Sequence, residues 1–124
     1  TVRNDGTETA RAVVVTDVIT AQATEWYRDA LAHSPARVEL VTLLPNIEET
    51  LRRDAARADS LPERSNDLHQ QLTRESAAGH LPGAVLDTTA DPDPRATADR
   101  VQDAISRGHA LFVAPAAIER TPTR

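Results

Sequence analysis

Apolar residues along this chain fall into short runs separated by helix-spaced polar stretches. Ala10–Ile19 holds Val13-Val14-Val15, a β-branched run that predicts a strand buried on both faces, with Asp17 at its carboxyl end. Thr20 then caps a predicted helix over about 21–33, with Ala23, Trp26 or Tyr27, Ala30 and Leu31 inward and Ser34-Pro35 as its stop. Val38–Leu44 predicts a second strand. Asn46 with Glu49 resembles a capping box, and Ile47, Leu51, Ala55 and Ala58 share one face of the helix it opens. Ser60-Leu61-Pro62-Glu63 starts a further helix that runs to about Ala78, with Gly79 as its C′ residue and a narrow stripe of Leu61, Leu68 and Leu72. Leu81-Pro82-Gly83 turns into a third strand, Ala84–Thr88. Asp93-Pro94 caps a last helix, whose buried face is Thr97, Val101, Ala104 and Ile105 and whose end is Gly108. His109–Ile118 offers an extra strand. The order predicts an α/β fold, a parallel sheet wrapped by helices.

Composition narrows the function classes. A chain of 124 residues with 40% apolar content, one Trp, one Tyr and one Phe predicts one domain with a small aliphatic core. The net charge of −5 argues against nucleic acid as a partner. No apolar run reaches the roughly 18 residues of a membrane span, so no membrane partner and a cytoplasmic location are expected. Zero cysteines remove disulfides, thiolate metal sites and cysteine nucleophiles. All fourteen basic residues are arginine.

The candidate chemistry lies at strand ends. Asp17 stands where α/β sheets place their ligands, and a carboxylate there can hold Mg²⁺ or accept a hydroxyl proton; it can equally cap the next helix. Arg53 and Arg57 share a helical face, Arg52 lies one step round, and Arg64 begins the next helix. Together they can grip phosphate oxygens, or they can serve as a solvated face laced by Glu49–Arg53 and Asp54–Arg57 pairs. Asp87-Thr88-Thr89 can line a nucleotide base site or simply leave the strand. The four histidines have no ligand spacing, no G-x-S-x-G elbow surrounds a serine, and the four glycines form no phosphate cradle.

Val13-Val14-Val15-Thr16-Asp17-Val18, Leu43-Leu44-Pro45 with Leu51-Arg52-Arg53-Asp54 and Arg57, and Val85-Leu86-Asp87-Thr88 before a proline-started helix together resemble the carboxyl-terminal part of a small P-loop kinase. The family includes chloramphenicol phosphotransferase, gluconate kinase, shikimate kinase and zeta-toxin-like ATPases, and the resemblance covers about residues 11–107. It implies a three-layer parallel sheet with flanking helices, incomplete here because the G-x-x-x-x-G-K-[ST] loop has no counterpart. It implies an ATP-dependent phosphotransferase acting on a small-molecule hydroxyl, inactive without that loop. Asp17, Arg53 and Arg57 would be catalytic, with Asp17 also the metal ligand, and Arg52, Arg64 and Thr88 would bind cofactor. ATP and Mg²⁺ would be the cofactors. Partners would be a nucleotide, a small-molecule substrate, and a segment or chain that completes the sheet. Thr16 stands where many relatives carry a first acid. The division expected is 1–9 as a disordered lead or linker, 10–108 as the kinase-like domain and 109–124 as a tail with an added strand. The alternative reading is a non-catalytic α/β binding or interaction module whose arginines form surface ion pairs.

Overall fold

A computed structural model describes residues 12–116. Helix α1 (Ala21–Leu31) is followed by β1 (Val38–Glu39), β2 (Val41–Leu43), α2 (Ile47–Ala55), α3 (Pro62–Ala77), β3 (Ala84–Leu86), α4 (Pro94–Ser106) and β4 (Leu111–Val113). Local chemistry sets the helix ends. The Thr20, Asn46 and Asp93 side chains accept N–H bonds from Ala23, Glu49 and Ala96, three residues on in each case. Both α3 and α4 close with a Schellman motif. Gly79 N–H donates to Ser76 C=O and His80 N–H to Glu75 C=O; Gly108 and His109 repeat the pattern on Ile105 and Ala104. Gly79 and Gly108 both take positive φ, as that motif requires.

The sheet differs from the expected one. Two separate two-stranded sheets form: β1 pairs antiparallel with β4, and β2 pairs parallel with β3. Leu40 is the junction. Its N–H donates to the Ala110 carbonyl at 2.8 Å and its own carbonyl accepts from Ala84 N–H at 3.0 Å. The extended segment 38–43 thus serves first one partner and then the other, and the β1–β4 register also shifts between Val38 and Glu39. Gly83 makes the second half possible. Its φ is +77°, and a Cβ there would overlap the Leu40 carbonyl oxygen.

The three-layer P-loop-like sheet is therefore corrected to a small mixed α/β arrangement, and the kinase resemblance falls with it. No residue of 12–20 enters either sheet, and Val13 and Val15 are 67% and 69% exposed. The physical reason is that β-branched propensity is local, whereas a strand buried on both faces needs covering layers. The only buried residue of α1 is Thr24, and its Trp26 is 67% exposed, so this helix does not lie as a covering layer over residues 13–15. The expectation of a partner segment filling a vacant sheet centre is corrected too. Both halves of 38–43 already have partners, and no larger parallel sheet stands around a gap among the described residues.

The core is small. Ala84, Ala104 and Ala110 form its centre with Val41 and Ile105 packed against them, while Leu72 and Leu81 are buried separately. On α4 the buried stripe is the expected one. On α2 it is rotated: Ala55 and Ala58 are exposed and Asp54 is buried instead. Among the described residues no helix is long and apolar enough to cross a membrane.

Candidate functional site

Helix α2 follows β2 directly, so its arginines stand beside the carboxyl ends of the parallel pair. Arg52 donates from Nε to Glu49 Oε2 at 2.9 Å and from its terminal nitrogen to Oε1. Arg53 Nε shares Glu49 Oε1 at 2.9 Å. The Arg52 hydrogen bonds, aided by those of Arg53, hold the Glu49 carboxyl at about 2, well below the ordinary carboxylate range. The far end of Arg53 reaches the loop after β3. It donates to the Thr88 carbonyl at 3.2 Å and approaches Thr88 Oγ1 at 3.4 Å. Thr88 is 1% exposed, so this guanidinium satisfies a buried acceptor that water does not reach.

A second arginine, Arg100 of α4, braces the same loop from the other side. It donates to the Asp87 carbonyl at 2.7 Å and to Asp91 at 2.8 Å. Thr97 Oγ1 also donates to Asp91, and its bond, with the Arg100 charge, lowers the Asp91 carboxyl. The Thr89 hydroxyl and N–H both donate to Asp87, lowering that carboxyl as well. Thr89 Oγ1 in turn accepts the Asn46 N–H at 2.7 Å, the position that Glu49 would take in a full capping box. Loop 87–91 is thus tied to the starts of both α2 and α4.

The other expected site residues stand apart from this loop. Asp17 is exposed and accepts the Tyr27 hydroxyl at 2.7 Å, which raises the Tyr27 phenol, and its own Oδ1 accepts Val18 N–H. Arg57 lies 3.5 Å from Asp59, both well exposed. Arg64 is exposed on the first turn of α3 and makes no ion pair among the described residues. An open groove of about 510 Å³ does bring Asp17, Arg53 and Arg57 to one lining, while Arg52, Arg64 and Thr88 do not line it. Its floor is the apolar run 40–44. Its charged lining consists of Asp17, Glu39 and Asp54 against Arg53 and Arg57, an excess of negative charge that does not attract phosphate.

These facts overturn the phosphotransferase reading. The parallel pair ends in helix caps and braced loops, not in a phosphate cradle, and no group of three or more His, Asp or Glu that could hold a metal comes together among the described residues. ATP and Mg²⁺ as cofactors, and nucleotide and small-molecule substrate as partners, are corrected accordingly. Asp17 has the Tyr27 hydroxyl beside it where a metal site would want a second carboxylate.

The expected solvated Asp54–Arg57 pair does not form: Arg57 lies near Asp59, and Asp54 turns inward. Its carboxylate, on a residue 5% exposed, accepts the Ser60 hydroxyl at 2.6 Å, the Ser65 hydroxyl at 2.9 Å and the Leu61 N–H at 3.4 Å. Leu61, at the N-cap of α3, makes no side-chain cap of its own. Asp54 caps α3 from the end of α2. Ser60 holds its carboxyl low first, Ser65 and Leu61 next, against the opposing effect of desolvation. The signal in the sequence is a polar residue on the inward face of α2 with hydroxyls six and eleven residues on. His69, on α3, adds a further tie by donating from Nε2 to the Pro45 carbonyl at 2.7 Å.

Comparison with family models, with curated proteins and with solved structures found no match.

Proposed function

We propose that this chain is a non-catalytic α/β interaction module that engages a protein partner in the cytoplasm. One observation carries the reading. The arginines beside the parallel strand ends serve the chain's own carbonyls and carboxylates, while several of its large apolar side chains stand exposed. Arg52 and Arg53 are bound to Glu49, Arg53 also to Thr88, and Arg57 lies near Asp59. Val13, Val14, Val15, Val18 and Trp26 are each more than half exposed. Exposed apolar groups of this size, with a tryptophan among them, are characteristic of protein-binding surfaces. The zero-cysteine composition suits a reducing compartment. In this reading Arg52, Arg53 and Arg57 are structural cations, Thr88 is the buried acceptor for Arg53, and Asp17 orients Tyr27. Arg64, which makes no ion pair among the described residues, is open to a partner's acid.

Thermal unfolding with increasing phosphate or Mg²⁺–ATP tests the arginine half of this reading. The midpoint should not rise saturably with either anion, and R53Q should lower it equally with and without them. A saturable rise in the wild type that R53Q abolishes would contradict the module reading. Dye fluorescence tests the apolar half. Binding of an apolar dye should fall by about half or more in a V13T/V15T/W26S variant, in proportion to the apolar area removed. Unchanged dye binding would place the accessible apolar surface elsewhere.

A further inference from the structure

The connection between α2 and α3 is built around one charge. Asp54 lies at the carboxyl end of α2, where the helix dipole disfavours an anion, and it is nearly buried. Three donors compensate it, and all come from the α3 side: the Ser60 and Ser65 hydroxyls and the Leu61 N–H. The shortest bond belongs to Ser60, which sits on the loop between the helices as an exposed residue. Of the two compensating hydroxyls, the one with the shorter bond thus belongs to the exposed residue, while Ser65 is half-buried.

We infer that Ser60 is the trigger of a latch on the α2–α3 hairpin, and that a phosphoryl group placed on its Oγ releases α3 from α2. A serine-directed kinase with a nucleoside triphosphate supplies the chemistry. The Ser60 Oγ–P bond forms as the bond from the γ-phosphorus to its bridging oxygen breaks, the hydroxyl proton passes to the kinase's base, and a nucleoside diphosphate leaves. Two effects then act together. The strongest donor to Asp54 is lost, and a dianion stands against a nearly buried carboxylate. The charged groups near the hinge are Arg57, which interacts with the Asp54 charge, Asp59, which faces Arg57, and Glu63 and Arg64 on the first turn of α3. Arg57 and Arg64 are exposed, so their attraction for an added anion is screened, whereas the repulsion from the nearly buried Asp54 is screened less. Release of α3 loosens Leu72, the His69 tie to Pro45 and the bond from the Ala21 N–H to Glu75, all of which hold this helix against the rest of the molecule.

Hydrogen exchange on the full chain, followed by mass spectrometry, tests the latch. In S60D the amides of residues 62–68 should exchange about tenfold faster or more than in the wild type, while those of 101–105 change less than about twofold. S60A, which removes the donor without adding charge, should give a smaller rise. S60D/D54N restores a donor–acceptor pair with its polarity reversed and should return exchange to within about threefold of the wild type. Exchange in S60D no faster than in S60A, or slower than in the wild type because Arg57 and Arg64 capture the anion, would overturn the inference. If S60D does not fold, the double variant decides by circular dichroism. A folded S60D/D54N supports charge repulsion as the cause, and an unfolded one refutes it.

Discussion

At the scale of single residues, the molecule depends on a few polar groups placed where apolar ones are usual. Asp54 is the main case. D54A removes the acceptor for two hydroxyls and one N–H, so it should destabilise the chain more than E49A, whose arginine partners are exposed and regain water. Urea titration of both variants checks the order. The pH dependence has a definite sign. Both carboxyls lie below their ordinary values when folded, Glu49 at about 2. Their stabilisation is therefore complete above the unfolded carboxylate range and is lost as pH falls through it toward the folded values. The urea midpoint should be flat from neutrality down to about pH 5 and fall below about pH 4. Asp87 and Asp91 are lowered too and add to the same limb, so D54N should make it shallower without removing it; an unchanged limb would show that Asp54 does not contribute. Glycines separate by the same reasoning. A methyl group added at Gly79 or Gly108 would meet open space, whereas at Gly83 it would meet the Leu40 carbonyl. G79A should cost about 1 kcal/mol, the strain of positive φ alone. G83A should cost about 2–4 kcal/mol, because the β2–β3 pairing must shift as well. Equal losses in the two variants would refute the close approach.

At the scale of elements, legibility follows the range of the interactions. Thr20, Asn46 and Asp93 each cap through a partner three residues on, and Gly79 and Gly108 each close a helix with carbonyls a few residues back. Such contacts are written in consecutive residues, which is why these helix ends can be read from the chain alone. Strand partnership is not so written. Val38–Leu43 carries the right residues for a strand, but whether it meets one neighbour or two is decided by Ala84 and Ala110, more than forty residues away. Val13-Val14-Val15 has still stronger β propensity and belongs to neither sheet. Around the candidate site the split is similar. The Glu49–Arg53 pair is visible as i,i+4 spacing. The turn of Arg53 toward Thr88, and the Arg100 brace opposite, arise from packing between α2, α4 and loop 87–91. Capping predicts its own result. D93A should lower stability by about 1 kcal/mol by chemical denaturation, the usual loss for an N-cap acid. No loss would mean that Pro94 alone fixes the start of α4.

At the scale of the whole molecule, a core centred on three alanines leaves little apolar burial to offset chain entropy. The strands are two or three residues long, and the two sheets meet through the backbone of Leu40. Helix caps, loop braces and the Asp54 staple consequently carry more of the stability than in a domain with a large core. Opening should be graded, with α1 exchanging before α4, since α1 buries only Thr24 whereas Ala104 of α4 belongs to the core. Under the proposed function, the apolar side chains left outside, Trp26 among them, are the surface that a partner would cover.

Arginine side-chain NMR decides between the two uses of these cations, because Nε–H signals report which guanidiniums are engaged. Arg52 and Arg53 should give sharp, slowly exchanging signals that do not move on titration with Mg²⁺–ATP, and R53Q should shift the Thr88 and Thr89 amides in the free protein. Saturable movement of the Arg53, Arg57 and Arg64 signals together on adding the nucleotide would contradict the account, since it would show these side chains turned to an anion and not to the chain itself.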